Sequence, residues 1–125
     1  MYDGTSDAIF SRENSVAVCE GWGNTDSDPS SFAHLYLVPG MNHCRAGPST
    51  DQFDLLGPLV DWVENGRARG AVVGGVRGPG NPAGANADVP PSWSSARTRP
   101  LCPYPGVAPY DGAGDIESAA SFVCR

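Results

Sequence analysis

Apolar positions in the first half of the chain fall into short periodic groups separated by polar, glycine-containing punctuation. Val16, Ala17 and Glu20 follow Ser11, whose side chain can accept from the first free N–H groups of a helix, so a short helix is expected over residues 12–20. Gly21 to Ser31 is polar and rich in the residues of turns, and reads as a loop. The run at 34–38 ends at Pro39-Gly40 and reads as a strand. Its apolar groups on both faces suit a parallel sheet covered by helices on each side. Phe53, Leu56, Val60 and Val63 then recur at spacings of three and four, the signature of a helix with one buried face. Ser49 or Thr50 is a candidate start for it and Gly66 a stop. Proline in a helix interior costs about 3 kcal/mol, so the regular helix is expected from Gly57, with Pro58 in its first turn.

The second half has a different texture. Ala71-Val72-Val73 with Val76 fits one strand, but residues 78–114 are mostly Gly, Pro, Ala and Ser without a period. A structureless stretch of ~35 residues is unusual within a compact domain and normally lies over a larger surface. Asp115 to Phe122 resumes a helix-like pattern, with Asp115 as its cap. The chain therefore divides into an α/β portion at 1–77 and an irregular Gly/Pro-rich tail at 78–125 ending in a short helix. No internal repeat is present.

Composition narrows the classes. Sixteen glycines and twelve prolines in 125 residues are high for a packed globule and low for a disordered chain. The eight basic residues are all arginine, and the formal charge of −6 argues against a nucleic-acid surface. No run of about 18 apolar residues is present to span a membrane, and Met1-Tyr2-Asp3-Gly4 has neither the charged nor the apolar region of a signal peptide. None of the four cysteines is in a C-x-x-C pair, so disulfides in an exported protein are favoured over a metal site, with three two-bridge connectivities open. Asp26 and Asp28 in NTDSDPS lack the glycine and distal glutamate of a calcium loop and read as a solvated turn. His34 reads as exposed and Trp62 as packing.

Chemistry concentrates at His43. It follows the strand at 34–38 in the loop Pro39-Gly40-Met41-Asn42, and a glycine-flanked acidic turn, YDGTSD, precedes it. In serine hydrolases of the α/β type an acid and a histidine follow in that order on loops after strands. The imidazole takes the serine proton and the carboxylate fixes its tautomer. Asp7 ends the turn 36 residues before His43; Asp3 in the same turn is a competitor that spacing does not exclude. A solvated loop histidine and a turn-forming aspartate are the plain alternatives.

The segments MYDGTSDAIFS, LVPGMNHC, LVDWVENG, RTRPLCPYP and GAGDIESAASFVCR together resemble the C-terminal part of the tannase and feruloyl esterase family, from residue 1 to 125 with variable loops at 21–31 and 78–95. The resemblance implies the last core strands and helices of an α/β-hydrolase fold followed by a disulfide-clamped tail. It also implies a secreted or periplasmic serine esterase acting on esters of aromatic acids. Asp7 matches the family's triad acid and His43 its histidine. Cys44 matches a cysteine that the family bonds to one beside its nucleophile, and Cys102 and Cys124 match a pair closing a loop near the C-terminus. That loop of about 22 residues is worth on the order of 3 kcal/mol in the chain-entropy account. Cys19 has no counterpart and reads as an apolar residue. Arg97 and Arg99 are expected to lie against the core and form salt bridges.

The chain departs from the family pattern at a decisive point. No serine lies in G-x-S-x-G or follows a cysteine. The nucleophile and the usual partner of Cys44 are thus missing, along with the oxyanion segment, the earlier core strands and the lid that shapes the acyl pocket and carries the family's calcium. No cofactor is expected in this segment, and Met1 is expected to fall inside a strand that begins earlier. Two readings follow: a piece of an ester hydrolase that supplies the base and its orienter and is inactive alone, or a stranded, non-catalytic segment that binds nothing specific.

Overall fold

A parallel pair of short strands organises the first half: β1 (Tyr2–Gly4) and β2 (Tyr36–Val38) pair with Tyr2 opposite Tyr36, Asp3 opposite Leu37 and Gly4 opposite Val38. Parallel strands require a crossover, and here it contains α1 (Arg12–Trp22). Ser11 caps α1 as expected, its hydroxyl accepting from the Glu13 N–H at 3.2 Å. The computed structural model describes residues 1–23, 28–68 and 70–125, so Asp26 lies outside the described residues. Asp28 caps a single 3₁₀ turn, accepting from the Ser30 N–H at 3.0 Å.

The core is small and centred on β2. Val38, Met41 and Leu101 are almost completely buried, with Tyr36 and Val72 beside them and Phe53 and Leu55 packed against the group; Leu35 is buried as well. Full burial of side chains of this size stabilises by about 1.5–3 kcal/mol each. β3 (Val72–Gly75) adds an antiparallel partner, β4 (Thr98–Leu101), in a second two-stranded sheet. The sheets are tied through β2, because Tyr36 bridges Pro103 and the Tyr104 N–H donates to the Leu35 carbonyl at 2.7 Å.

Four expectations need correction. The 78–114 stretch contains β4, a strand hidden by Pro100, which tolerates its place because it sits in a two-stranded sheet. The 115–122 stretch holds only a 3₁₀ turn at Ala119–Ser121, capped by Ser118 rather than Asp115. The second helix, α2 (Leu56–Asn65), is not capped by Ser49 or Thr50, which are buried upstream. Asp54 instead accepts from the Leu56 and Gly57 N–H groups at 2.8 and 3.1 Å. Pro58 does fall in the first turn, and Gly66 ends the helix at φ 67°, a left-handed conformation suited to glycine. The fourth correction concerns the apolar stripe of α2. Leu56 is 69% exposed and Val63 76%, so the stripe faces outward rather than into the core.

Candidate active site

Two loops leave the same ends of β1 and β2 and lock together. The Thr5 N–H donates to the Val38 carbonyl and the Ser6 N–H to the Met41 carbonyl, each at 3.0 Å, while the Thr5 hydroxyl accepts from the Gly40 N–H at 2.9 Å. Gly4 makes this approach possible: a Cβ there would stand 2.6 Å from the Asn42 carbonyl oxygen and closer still to that of Met41. Met41, fully buried, anchors the second loop. The glycine, which ends β1, is therefore required for packing: it lets the two backbones approach.

On this frame Asp7 and His43 meet. The His43 Nδ1 lies 2.8 Å from Asp7 Oδ2, and Asp7 Oδ1 accepts from the Ile9 and Phe10 N–H groups at 2.7 and 3.0 Å. An ionised carboxylate only accepts, so Nδ1 carries a proton, and in the neutral imidazole Nε2 is the nitrogen able to accept one. The Asp7 side chain is 4% exposed and that of His43 is 38% exposed. Burial pushes the Asp7 carboxyl up, but the His43 hydrogen bond and the Phe10 and Ile9 N–H groups outweigh it and hold the group below its ordinary range. The Phe10 ring stands 5.4 Å from the imidazole.

Asp3, the competing carboxylate, is taken by another partner. The Ser15 hydroxyl of α1 donates to its Oδ2 at 2.6 Å. Both aspartates, with His43, Cys44 and Phe10, border an open cavity of about 300 Å³. Cys44 is an exposed free thiol, and Cys19 is half-buried and unbonded, with burial pushing its thiol up. Cys102 and Cys124 form a disulfide with Cα atoms 5.7 Å apart. Among the described residues no three His, Cys, Asp or Glu side chains gather as a metal set. No described helix is long and apolar enough to cross a membrane.

The remaining marked residues find packing roles. His34, half-buried rather than exposed, stacks on Trp62 with ring centres 4.7 Å apart. Arg97 forms its salt bridge, to Glu117 at 3.3 Å, whereas Arg99 lies over the Phe122 ring at 4.3 Å. Sequence reasoning missed Thr5 and Ser15, which decide how the loops meet and which aspartate is free. Only their small polar character, two to three residues from a charged or glycine position, marked them.

The family model described as tannase and feruloyl esterase matches residues 1–125. The chain belongs to the tannase and feruloyl esterase family. Mono(2-hydroxyethyl) terephthalate hydrolase of Piscinibacter sakaiensis is 46% identical over 124 residues, covering 99% of this chain and 19% of that protein. Feruloyl esterase B of Aspergillus niger is 28% identical over 141 residues, covering 98% of this chain and 25% of its own length. Among solved structures, feruloyl esterase B from Aspergillus oryzae superposes with a TM-score of 0.63 at 26% identity, over 99% of this chain and 26% of that one. This tannase-family chain thus spans about a fifth to a quarter of the length of these relatives.

Proposed function

We propose that the chain supplies the acid–base half of a serine-esterase site, with His43 as general base and then general acid and Asp7 as its orienter. The observation that carries this reading is the 2.8 Å contact between His43 Nδ1 and Asp7 Oδ2, made by a nearly buried carboxylate to a part-exposed imidazole. The contact fixes the tautomer that leaves Nε2 able to take a proton. Since no serine here stands in a G-x-S-x-G setting, the nucleophile belongs to another part of the esterase.

In the assembled site the serine Oγ attacks the ester carbonyl as its proton passes to Nε2. The tetrahedral intermediate collapses, and the alcohol leaves with that proton. Water, deprotonated in turn by Nε2, then attacks the acyl-enzyme and releases the acid. Esters of aromatic acids are the proposed substrate class, supported by relatives named for terephthalate and ferulate. The Cys102–Cys124 disulfide supports a place outside the reducing cytoplasm.

The test is an assay of the purified 125-residue chain on methyl gallate, methyl ferulate and p-nitrophenyl acetate. No turnover above that of His43→Ala is expected, because loss of the serine alone costs about a millionfold in kcat in a serine protease. Turnover that vanishes in His43→Ala would reveal a nucleophile within these residues. In the full-length esterase, His43→Ala should abolish hydrolysis; near-normal rates there would overturn the assignment.

A further inference from the structure

The loop that presents His43 is held in a costly conformation. Cys44 at φ 62° and Ala46 at φ 65° are both non-glycine residues in the left-handed region, and they flank a three-residue span beginning one residue after His43. Such conformations are disfavoured by the clash of Cβ with the backbone and persist only where the surroundings over-determine them. Within the loop, the Asn42 N–H donates to the Ala46 carbonyl at 3.2 Å and the Arg45 N–H to the His43 carbonyl at 2.8 Å.

Further restraint comes from residues that do not contact His43. The Ala46 N–H donates to Asp51 Oδ2 at 2.8 Å, and the same oxygen receives Arg77 Nε at 3.2 Å and Nη2 at 2.8 Å. This ion pair is buried, with side-chain exposures of 0% for Asp51 and 7% for Arg77. The Arg77 Nη1 donates to the Ala83 and Gly84 carbonyls, drawing in the chain after β3. That chain then grips one residue of the loop by both of its backbone polar groups. Asp88 Oδ2 accepts from the Gly47 N–H at 2.8 Å, and Asn86 Nδ2 donates to the Gly47 carbonyl at 2.9 Å. The grip is itself braced, because the Asp88 N–H donates to Asn86 Oδ1 at 3.0 Å and the Asn86 N–H to the Arg77 carbonyl at 2.8 Å. A buried ion pair adds little net stability over apolar residues of the same shape, so its value here lies in fixing one conformation.

We propose that Asp51, Arg77, Asn86 and Asp88 form a positioning network that holds the His43 imidazole on Asp7, making the irregular segment after β3 a clamp on the catalytic loop. The proposal deepens the acid–base reading of Asp7 and His43 and rests on it. None of the four touches the imidazole, so each acts through the loop backbone.

The test is proton NMR of the ¹⁵N-labelled 125-residue chain, with the Nδ1 proton of His43 as the readout and His34, stacked on Trp62, as the internal control. The wild-type chain should show a downfield, slowly exchanging His43 ring proton that Asp7→Asn removes. Asn86→Ala and Asp88→Ala should speed its exchange about tenfold or abolish it, the scale of one lost hydrogen bond, with His34 signals unmoved. Asp88→Asn keeps an oxygen acceptor for the Gly47 N–H and should restore the wild-type behaviour. Because Asp88 is exposed apart from this contact, its replacement tests the clamp without emptying the core. If both alanine variants keep the exchange rate within about twofold of wild type, the clamp is overturned while the Asp7–His43 pair stands. If the wild-type chain shows no such proton, the pair itself fails and the proposal falls with it.

Discussion

Asp3, in β1, and Asp7, four residues on in the turn that follows it, have carboxylates that serve different neighbours: Ser15 of α1 holds one and His43 the other. Kinetics of the full-length esterase should separate them. Asp7→Asn is expected to lower kcat by about 10⁴, the effect of presenting the wrong imidazole tautomer. Asp3→Asn retains an oxygen acceptor for Ser15 and should leave kcat within about tenfold of normal. Stability provides a second check. The Asp7 carboxyl is held below its ordinary value of 3.8 in the folded chain. Its contribution is therefore complete above the unfolded value and is lost as pH falls through the folded one. Urea unfolding from pH 5 down to pH 3 should show a steeper loss for wild type than for Asp7→Asn; parallel curves would mean that the carboxylate is not held as described. The histidine and the acidic turn were legible in the chain, and the family resemblance pointed to Asp7, but spacing alone did not choose between the two aspartates. Ser15, on the following helix, holds Asp3 away from His43, and only its small polar character marked it.

At the scale of elements, the Ser11 start of α1, the Gly66 stop of α2 and the place of Pro58 followed from local chemistry, while the caps expected at Ser49, Thr50 and Asp115 and the direction of burial did not. The three-and-four spacing in α2 correctly marks a helix with an apolar side. Periodicity says that such a side exists, not what covers it. β4 escaped for the opposite reason, since Thr98-Arg99-Pro100-Leu101 has neither alternation nor a continuous apolar run. Its strand character comes from pairing with Val72–Gly75. The join between β1 and the His43 loop makes a sharp prediction of its own. Gly4→Ala would drive a methyl into the Met41 and Asn42 carbonyls, and overpacking of this kind costs about 1–3 kcal/mol. Urea denaturation should show that loss, and the His43 ring proton should exchange faster. A silent Gly4→Ala variant would mean that the loops are not in contact.

Across the whole molecule, apolar surface is the dominant liability. Leu56, Leu59, Val60 and Val63 of α2 are exposed, and Trp22, Phe32 and Trp62 border an open groove of about 290 Å³ beside that helix. Contiguous apolar surface promotes association. The isolated chain should bind a hydrophobic dye and self-associate in analytical ultracentrifugation, and Leu56→Gln with Val63→Gln should reduce both; a monomer that ignores the dye would contradict this. The tail is secured differently, by the Cys102–Cys124 bond across 22 residues and by paired hydrogen bonds between Val107 and Arg125 at 2.9 Å. Reduction should lower stability by on the order of 3 kcal/mol, visible as a drop in Tm with added thiol. The clamp on the His43 loop carries a further consequence for how such chains can diverge. It holds Ala46 by its N–H and Gly47 by both its N–H and its carbonyl, never by a side chain. A change of side chain at Arg45 would therefore be invisible to the clamp, whereas Gly47, at φ 73° and with no room for a Cβ against the Gly40 carbonyl, is fixed as glycine, and a deletion between Arg77 and Asp88 would pull the gripping groups out of reach. What that segment must inherit is its length together with Arg77, Asn86 and Asp88.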